Sequence, residues 1–212
     1  MKALSEIFKE NGIDFSFPIH IKDANGRETY YERSSSYWRK SEYDVNGNQS
    51  YYEDINGYWH KYEYDANGNN THYEDISGKW HKSEYDANGK ETYFENSEGL
   101  RTNRKFDGNG NLTFYEREGF WSKRGYDDDG NETYAVNSEG YWRKCEYDAN
   151  GKETYYETSN GFWRKHEYDA DGKETYYENS EGDKRGTPKS QSCAGKVIEV
   201  DGKKYKLTEL YI

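Results

Sequence analysis

Two acidic turns in this sequence carry closely spaced carboxylates that could act together. They are DDDGN at Asp127–Asn131 and DADGK at Asp169–Lys173. Closely spaced carboxylates can hold calcium, a hard cation that prefers oxygen ligands. A calcium loop also needs a bidentate Glu at its twelfth position, and both segments lack one. We therefore predict plain hairpin turns without metal.

Histidine and cysteine could supply zinc chemistry or a nucleophile with its base. His60 and His81 occupy equivalent places in neighbouring copies of a repeated segment, and so do Cys145 and His166. Shared zinc needs both nitrogens within roughly 2.1 Å of the ion, and catalysis needs thiol and imidazole about 3 Å apart. Equivalent residues of consecutive hairpins in a meander lie about 9.6 Å apart. We expect no metal, no cofactor and no enzymatic activity, and only a solenoid with one strand per repeat would halve that distance.

The spacing of these residues comes from a unit of 21 residues that is repeated eight times. Two full copies read YWRKSEYDVNGNQSYYEDING (37–57) and YWRKCEYDANGKETYYETSNG (141–161). With position 1 at Tyr37 and position 21 at Gly57, positions 1–8 predict a strand, DANG a turn, positions 12–17 a second strand and the last residues a second turn. Each copy therefore predicts a β-hairpin.

Composition favours a folded protein with a thin aromatic core. Hydrophobic residues make up 31%, mean hydropathy is -1.44 and the formal net charge is -11. Disordered chains share those traits, but they lack the 18% of aromatic residues found here. Both faces of each strand carry rings and charges, whereas a sandwich needs one dry face. We predict an all-β fold of tandem β-hairpin repeats in an elongated antiparallel meander or solenoid.

Aliphatic residues gather at the two ends and predict caps. The segment LSEIFKENG predicts a short helix on Leu4, Ile7 and Phe8, and KVIEVDGKKYKLTEL predicts a hairpin that turns at Asp201–Gly202. The expected domains are a helical cap at 1–18, the repeats at 19–182, a linker at 183–195 and a hairpin cap at 196–212. Neither a signal peptide nor a membrane span is expected, and two unmatched thiols fit a cytoplasmic protein.

The core motif EYDANGKETYYENS-G, with Tyr-Asp before a Gly turn, resembles the YD repeats of Rhs proteins over about residues 20–182. This resemblance implies stacked β-strands. The chain departs from the family by carrying Trp at position 2 and by lacking the long shell that Rhs repeats build. A weaker resemblance is to the cell-wall-binding repeats of choline-binding proteins. Short acidic repeat proteins of this kind also look like phage products, which would be found in the host cytoplasm.

Two sets of residues are candidate binding sites. The first set is an aromatic line at position 2, consisting of Trp38, Trp59, Trp80, Trp121, Trp142 and Trp163. The second set is a basic island, where two central repeats depart from the consensus: Arg101, Arg104, Lys105, Phe106, Phe114, Arg117, Trp121, Lys123 and Arg124. Such departures mark either a partner-binding or anion-binding centre or simply a bend in the sheet. The recurring carboxylates predict cross-strand ion pairs.

These features predict a binding protein that acts through an extended aromatic and charged surface. The leading hypothesis is a protein partner, with a phage protein that occupies and inhibits a host defence factor as its most specific form. The alternatives are a carbohydrate- or cell-wall-binding module and a sponge that sequesters small nucleotides on its rings. Neither a membrane nor duplex nucleic acid is expected as a partner, and the sequence leaves the oligomeric state open.

Overall fold

The chain folds into tandem antiparallel hairpins that follow a short helix. The computed structural model describes residues 2–188, 197–200 and 203–206. They belong to two compact units, Met1–Trp121 and Ser122–Ile212. Within the described residues, no helix is long and apolar enough to span a membrane.

The first unit contains the helix and ten complete strands. These elements are α1 (Leu4–Glu10), β1 (Ile19–Lys22), β2 (Glu28–Glu32), β3 (Trp38–Tyr43), β4 (Gln49–Asp54), β5 (Trp59–Tyr64), β6 (Asn70–Asp75), β7 (Trp80–Tyr85), β8 (Glu91–Asn96), β9 (Arg101–Phe106) and β10 (Leu112–Arg117). The remaining strands are β11 (Phe120–Tyr126), β12 (Glu132–Asn137), β13 (Trp142–Tyr147), β14 (Glu153–Thr158), β15 (Trp163–Tyr168), β16 (Glu174–Asn179), β17 (Lys184–Gly186), β18 (Val197–Val200) and β19 (Lys203–Lys206).

Strand pairing follows chain order. In the first unit, each strand from β1 to β10 pairs antiparallel with the next. In the second unit, the same holds from β11 to β17. The predicted all-β fold is confirmed, and it is the meander rather than the solenoid.

The C-terminal part differs in one respect from the predicted domain limits. Lys184–Gly186, expected in the linker 183–195, forms strand β17 because these residues continue the repeat pattern for half a strand. Strands β18 and β19 pair antiparallel, as expected for the hairpin cap. The rest of the predicted linker, the turn at Asp201–Gly202 and residues 207–212 lie outside the described residues.

Asp at position 8 shapes the first turn of each repeat. Asp65 Oδ1 accepts hydrogen bonds from the backbone N–H groups of Asn67 and Asn69, both at 2.9 Å. Gly68 follows with φ +84°, a conformation that strains residues with a Cβ. The Asp-x-Asn-Gly pattern therefore encodes a self-contained turn, and its carboxylate is occupied by the backbone.

Tyr at position 7 fastens each hairpin to the preceding one. The hydroxyl of Tyr64 donates to the Gln49 carbonyl at 3.1 Å, and that of Tyr85 donates to the Asn70 carbonyl at 2.9 Å. The same bond recurs in the second unit, where Tyr168 donates to the Glu153 carbonyl at 3.0 Å. Where position 7 is Tyr, it thus contributes a hydroxyl as well as a ring.

Replacing Phe106 by Tyr should stabilise the first unit. Phe106 occupies position 7 without a hydroxyl, and the consensus bond would reach the carbonyl of Glu91. One such bond contributes about 1 kcal/mol to the free energy of unfolding. Urea denaturation should show that gain, and Tyr85→Phe should show a loss of similar size. A destabilised Phe106→Tyr variant would contradict the role given to position 7.

Candidate binding face

Side-chain alternation divides every repeat between two faces of the sheet. We call them the Trp face, with positions 2, 4, 6, 15 and 17, and the ladder face, with positions 3, 5, 7, 16 and 18. The strand register aligns these sets across repeats: Trp59 stands opposite Glu53 on the Trp face, and His60 stands opposite Tyr52 on the ladder face. Each face therefore presents similar residue types from one repeat to the next.

Within each unit, the position-2 Trp residues share one register on the Trp face. They stand opposite position 17 of the preceding strand: Trp38, Trp59 and Trp80 in the first unit, and Trp142 and Trp163 in the second. A lysine two residues further on lies over the ring, as Lys61 does over Trp59 at 5.3 Å and Lys165 over Trp163 at 5.9 Å. These cation–π contacts bind the lysine side chains to the rings on the Trp face.

Between hairpins, the Trp face forms a shallow recess that recurs in both units. One recess has a volume of about 490 Å³ and the other about 540 Å³. Both are lined by a position-4 Lys, a position-6 Glu, a position-14 hydroxyl, a position-15 Tyr and a position-17 Glu. The first-unit set is Lys40, Glu42, Ser50, Tyr51 and Glu53, and the second-unit set is Lys144, Glu146, Thr154, Tyr155 and Glu157.

The Trp face is negatively charged in the regular repeats. Each contributes one Lys at position 4 and two Glu at positions 6 and 17, which leaves one net negative charge. Lys61 and Glu63 are exposed, while Tyr51 and Trp59 are half-buried. An aromatic, mainly acidic and water-accessible surface of this kind favours a partner with basic groups.

The charge of this face is reversed in the two atypical repeats. In the repeat 100–119, Arg101 and Lys105 replace Trp and Glu on the Trp face, and only Glu116 is acidic. In the next repeat, Lys123 is retained while Gly125 and Val136 replace both Glu residues. The four departures at 101, 105, 125 and 136 therefore all change the charge of the Trp face.

Three of the island's four arginines pair with carboxylates that the linear sequence does not place beside them. Arg101 forms an ion pair with Glu95 at 2.7 Å, and Arg104 pairs with Glu91. Arg124 lies 3.6 Å from Glu132. A paired arginine attracts an anion less strongly than a free one. These ion pairs make anion binding by the basic island less favourable.

The island's aromatic residues and remaining cations are distributed over both faces. Lys90 lies 4.9 Å above the Phe106 ring on the ladder face, and Lys105 lies 6.0 Å from the Phe114 ring on the Trp face. Arg117 ends β10 and is exposed. Trp121 and Lys123 lie in β11, and both take part in contacts within the protein.

The ladder face carries a stack of rings that the sequence analysis did not identify. Positions 16 and 3 alternate across the strands, and in the first unit the consecutive ring pairs lie 5.1 to 6.4 Å apart: Tyr52, His60, Tyr73, His81 and Phe94. In the second unit, arginine takes the place of histidine, and Arg164 covers Tyr156 at 4.5 Å. The occurrence of His or Arg at position 3 of the regular repeats is the sequence feature that could have indicated this stack.

Stability should decrease as the pH falls below about 6.5, because burial in this stack lowers the pKa of His60 and His81. A histidine in the unfolded chain binds its proton near pH 6.5. The unfolded state therefore takes up more protons in that range, and the free energy of unfolding decreases. Urea midpoints between pH 7.5 and 5 should show this, and the double variant His60→Gln, His81→Gln should flatten the curve. An equal slope in that variant would contradict the assignment.

The residues considered above for metal binding or catalysis make structural contacts. Asp127 Oδ1 accepts the backbone N–H groups of Asp129 and Asn131, and hydrogen bonds from Asn131 hold its pKa below the usual range. Burial raises the pKa of the Cys145 thiol, and His166 Nδ1 lies 2.8 Å from Glu174. Among the described residues, no cluster of three His, Cys, Asp or Glu side chains could hold a metal ion.

Comparison with known proteins finds partial structural similarity only. No known family and no curated protein matches the chain. A crystal structure of TcdB2-TccC3 is similar, with 11% identity and a TM-score of 0.41 over 76% of this chain and 12% of that one. A Photorhabdus luminescens Tc holotoxin pore is similar with 14% identity and a TM-score of 0.38 over 76% of this chain and 9% of that one. The chain thus spans about an eighth of the first structure.

Proposed function

We propose that this chain is a non-catalytic binding protein whose Trp face holds a partner polypeptide at several repeats together. The observation that carries the proposal is one recess built twice, in separate units, from the same Lys, Glu, hydroxyl and Tyr positions, with a Trp opposite the position-17 Glu each time. A single shallow recess binds its ligand weakly. A partner long enough to reach several gains affinity through effective concentration, which favours a polypeptide over a single small molecule.

The charge of the Trp face limits which partners fit this proposal. The regular repeats carry a net negative charge on the Trp face, so basic segments fit and the phosphates of duplex nucleic acid do not. A host defence factor, bound by a phage product in the cytoplasm, is the specific form that the repeat resemblance suggests. The carbohydrate and nucleotide alternatives would use the same rings without needing the repeated charge.

A photo-crosslinking amino acid placed on different surfaces tests the proposal. Lys61 and Lys165 are exposed on the Trp face of separate units, whereas Val45 is 97% exposed in a turn and serves as the control. Irradiation in bacterial lysate should produce covalent polypeptide adducts at 61 and 165 and few at 45. Equal yields at the three positions, or adducts with the mass of a sugar or nucleotide, would contradict it.

A further inference from the structure

The beginning of helix α1 is bound by a Tyr–Glu pair on the Trp face. The backbone N–H of Leu4 donates to the Tyr30 hydroxyl at 3.0 Å, and that of Ser5 donates to Glu32 Oε2 at 3.0 Å. The Ser5 hydroxyl donates to the other oxygen of Glu32, and Tyr30 donates to Glu32 Oε2 at 2.8 Å. The carboxylate thus accepts three hydrogen bonds, two of them from α1.

This contact replaces an ordinary helix cap. Ala3 stands at the N-cap of α1 and makes no side-chain cap bond, so the first N–H groups of the helix are satisfied by the sheet. The site is dry: Glu32 is 0% exposed, and Trp38, which stands opposite it, is 4% exposed. Tyr30, Glu32 and Trp38 therefore form a complete binding site for a helix start, occupied by the chain's own.

Two further copies of this triad occur in the regular repeats, and Glu53 of the first also borders a cavity with Ser5 and Lys9 of α1. In the first unit, Tyr51 donates to Glu53 at 3.2 Å, and Glu53 stands opposite Trp59. In the second unit, Tyr155, Glu157 and Trp163 have the same positions and register. All six side chains are half-buried, so their polar atoms and rings are reachable from solvent.

The open copies differ from the occupied one beside the triad. Ile21 lines the cavity against Leu4 and Ile7 of α1, but the equivalent residues of the open copies are Glu42 and Glu146. The lysines at position 4 pair with these glutamates, as Lys144 does with Glu146 at 2.8 Å. Each recess is lined by two Lys and three Glu, so one negative charge remains after this pairing. The open copies therefore suit a helix whose first turn is like that of α1 but whose Ile7 equivalent is basic.

We infer that the two open triads, Tyr51–Glu53–Trp59 and Tyr155–Glu157–Trp163, each bind the start of a helix in a partner polypeptide. Its first turn carries Ser or Thr at the place of Ser5, which hydrogen-bonds the Glu, and Lys or Arg at the place of Ile7. This inference rests on the proposed function and specifies the partner's chemistry. Each triad satisfies helix N–H groups that would otherwise need their own cap.

A stapled peptide with the sequence of residues 2–12 tests the inference on the full chain. The probe carries Ile7→Lys and a staple between positions 6 and 10, which are exposed in α1. Isothermal titration calorimetry should show two peptide-binding sites per chain. Replacing Ser5 by Ala in the peptide should weaken binding by about tenfold, because a hydrogen bond to a carboxylate is lost.

Matched protein variants separate the triads from general charge. Glu53→Gln with Glu157→Gln should also weaken binding about tenfold, whereas Glu98→Gln with Glu139→Gln, in exposed turns, removes the same charge and should leave binding unchanged. No saturable binding, or equal binding by the Ser5→Ala peptide, would overturn the inference. Polypeptide adducts at Lys61 and Lys165 would in that case still support the proposed function.

Discussion

Replacing Glu32 by Ala should release α1 from the sheet while the hairpins stay folded. The side chain is 0% exposed and accepts hydrogen bonds from Ser5 and Tyr30. Its loss leaves buried donors without an acceptor and should cost about 3 kcal/mol of docking free energy. The amide of Ser5 should then exchange roughly a hundredfold faster. Fluorescence of Trp38, now 4% exposed, should shift to the red.

Glu157→Ala is the matched control for this prediction. Glu157 occupies the same repeat position in the second unit and stands opposite Trp163, as Glu32 stands opposite Trp38. Exchange at Ser5 should be unaffected by it. Unchanged protection of Ser5 in Glu32→Ala would contradict the account of how α1 is held.

Replacing Gly186 by Ala should separate β17 from β16. Gly186 has φ +76°, and a Cβ built there would lie 1.9 Å from the Thr175 carbonyl oxygen. Positive φ alone costs about 1 to 3 kcal/mol, and the overlap with backbone adds to this. The ion pair of Lys184 with Glu178 and the packing of Arg185 on Tyr177 should be lost too. Light scattering should then detect association through the uncovered edge of β16.

Gly78→Ala is the control that distinguishes backbone strain from steric overlap. Gly78 has φ +79°, but a Cβ there would meet nothing within 4 Å. This variant should lose stability from backbone strain alone and remain as monodisperse as the original chain. If both variants behave alike, close approach at Gly186 is not what fixes β17.

The repeated sequence predicts the hairpins well because each is encoded locally. Asp65 and Gly68 make their turn from five consecutive residues, and alternation then sets which side chains share a face. Strand pairing follows because short turns leave antiparallel neighbours as the only partners. The helix over LSEIFKENG was also predicted, and the structure places it at Leu4–Glu10.

The contacts of α1 and of the basic island could not be predicted in the same way. Ser5 meets Glu32 across 27 residues, and no periodic pattern specifies where the helix lies on the sheet. Arg104 was singled out because it interrupts the repeat, but its ion pair with Glu91 depends on cross-strand register. Residue type identifies candidates for binding, whereas partner choice depends on three-dimensional neighbours.

The central claim, that the Trp face binds through its open triads, is tested most directly by the indole N–H resonances of the six Trp residues. Single Trp→Phe variants assign them, and the stapled peptide is then titrated into the full chain. We expect Trp59 and Trp163 to shift with saturation. Trp38, covered by α1, and Trp142, which stands opposite Val136, should not move. Shifts at Trp142 as large as those at Trp59, or none at either open triad, would contradict the account.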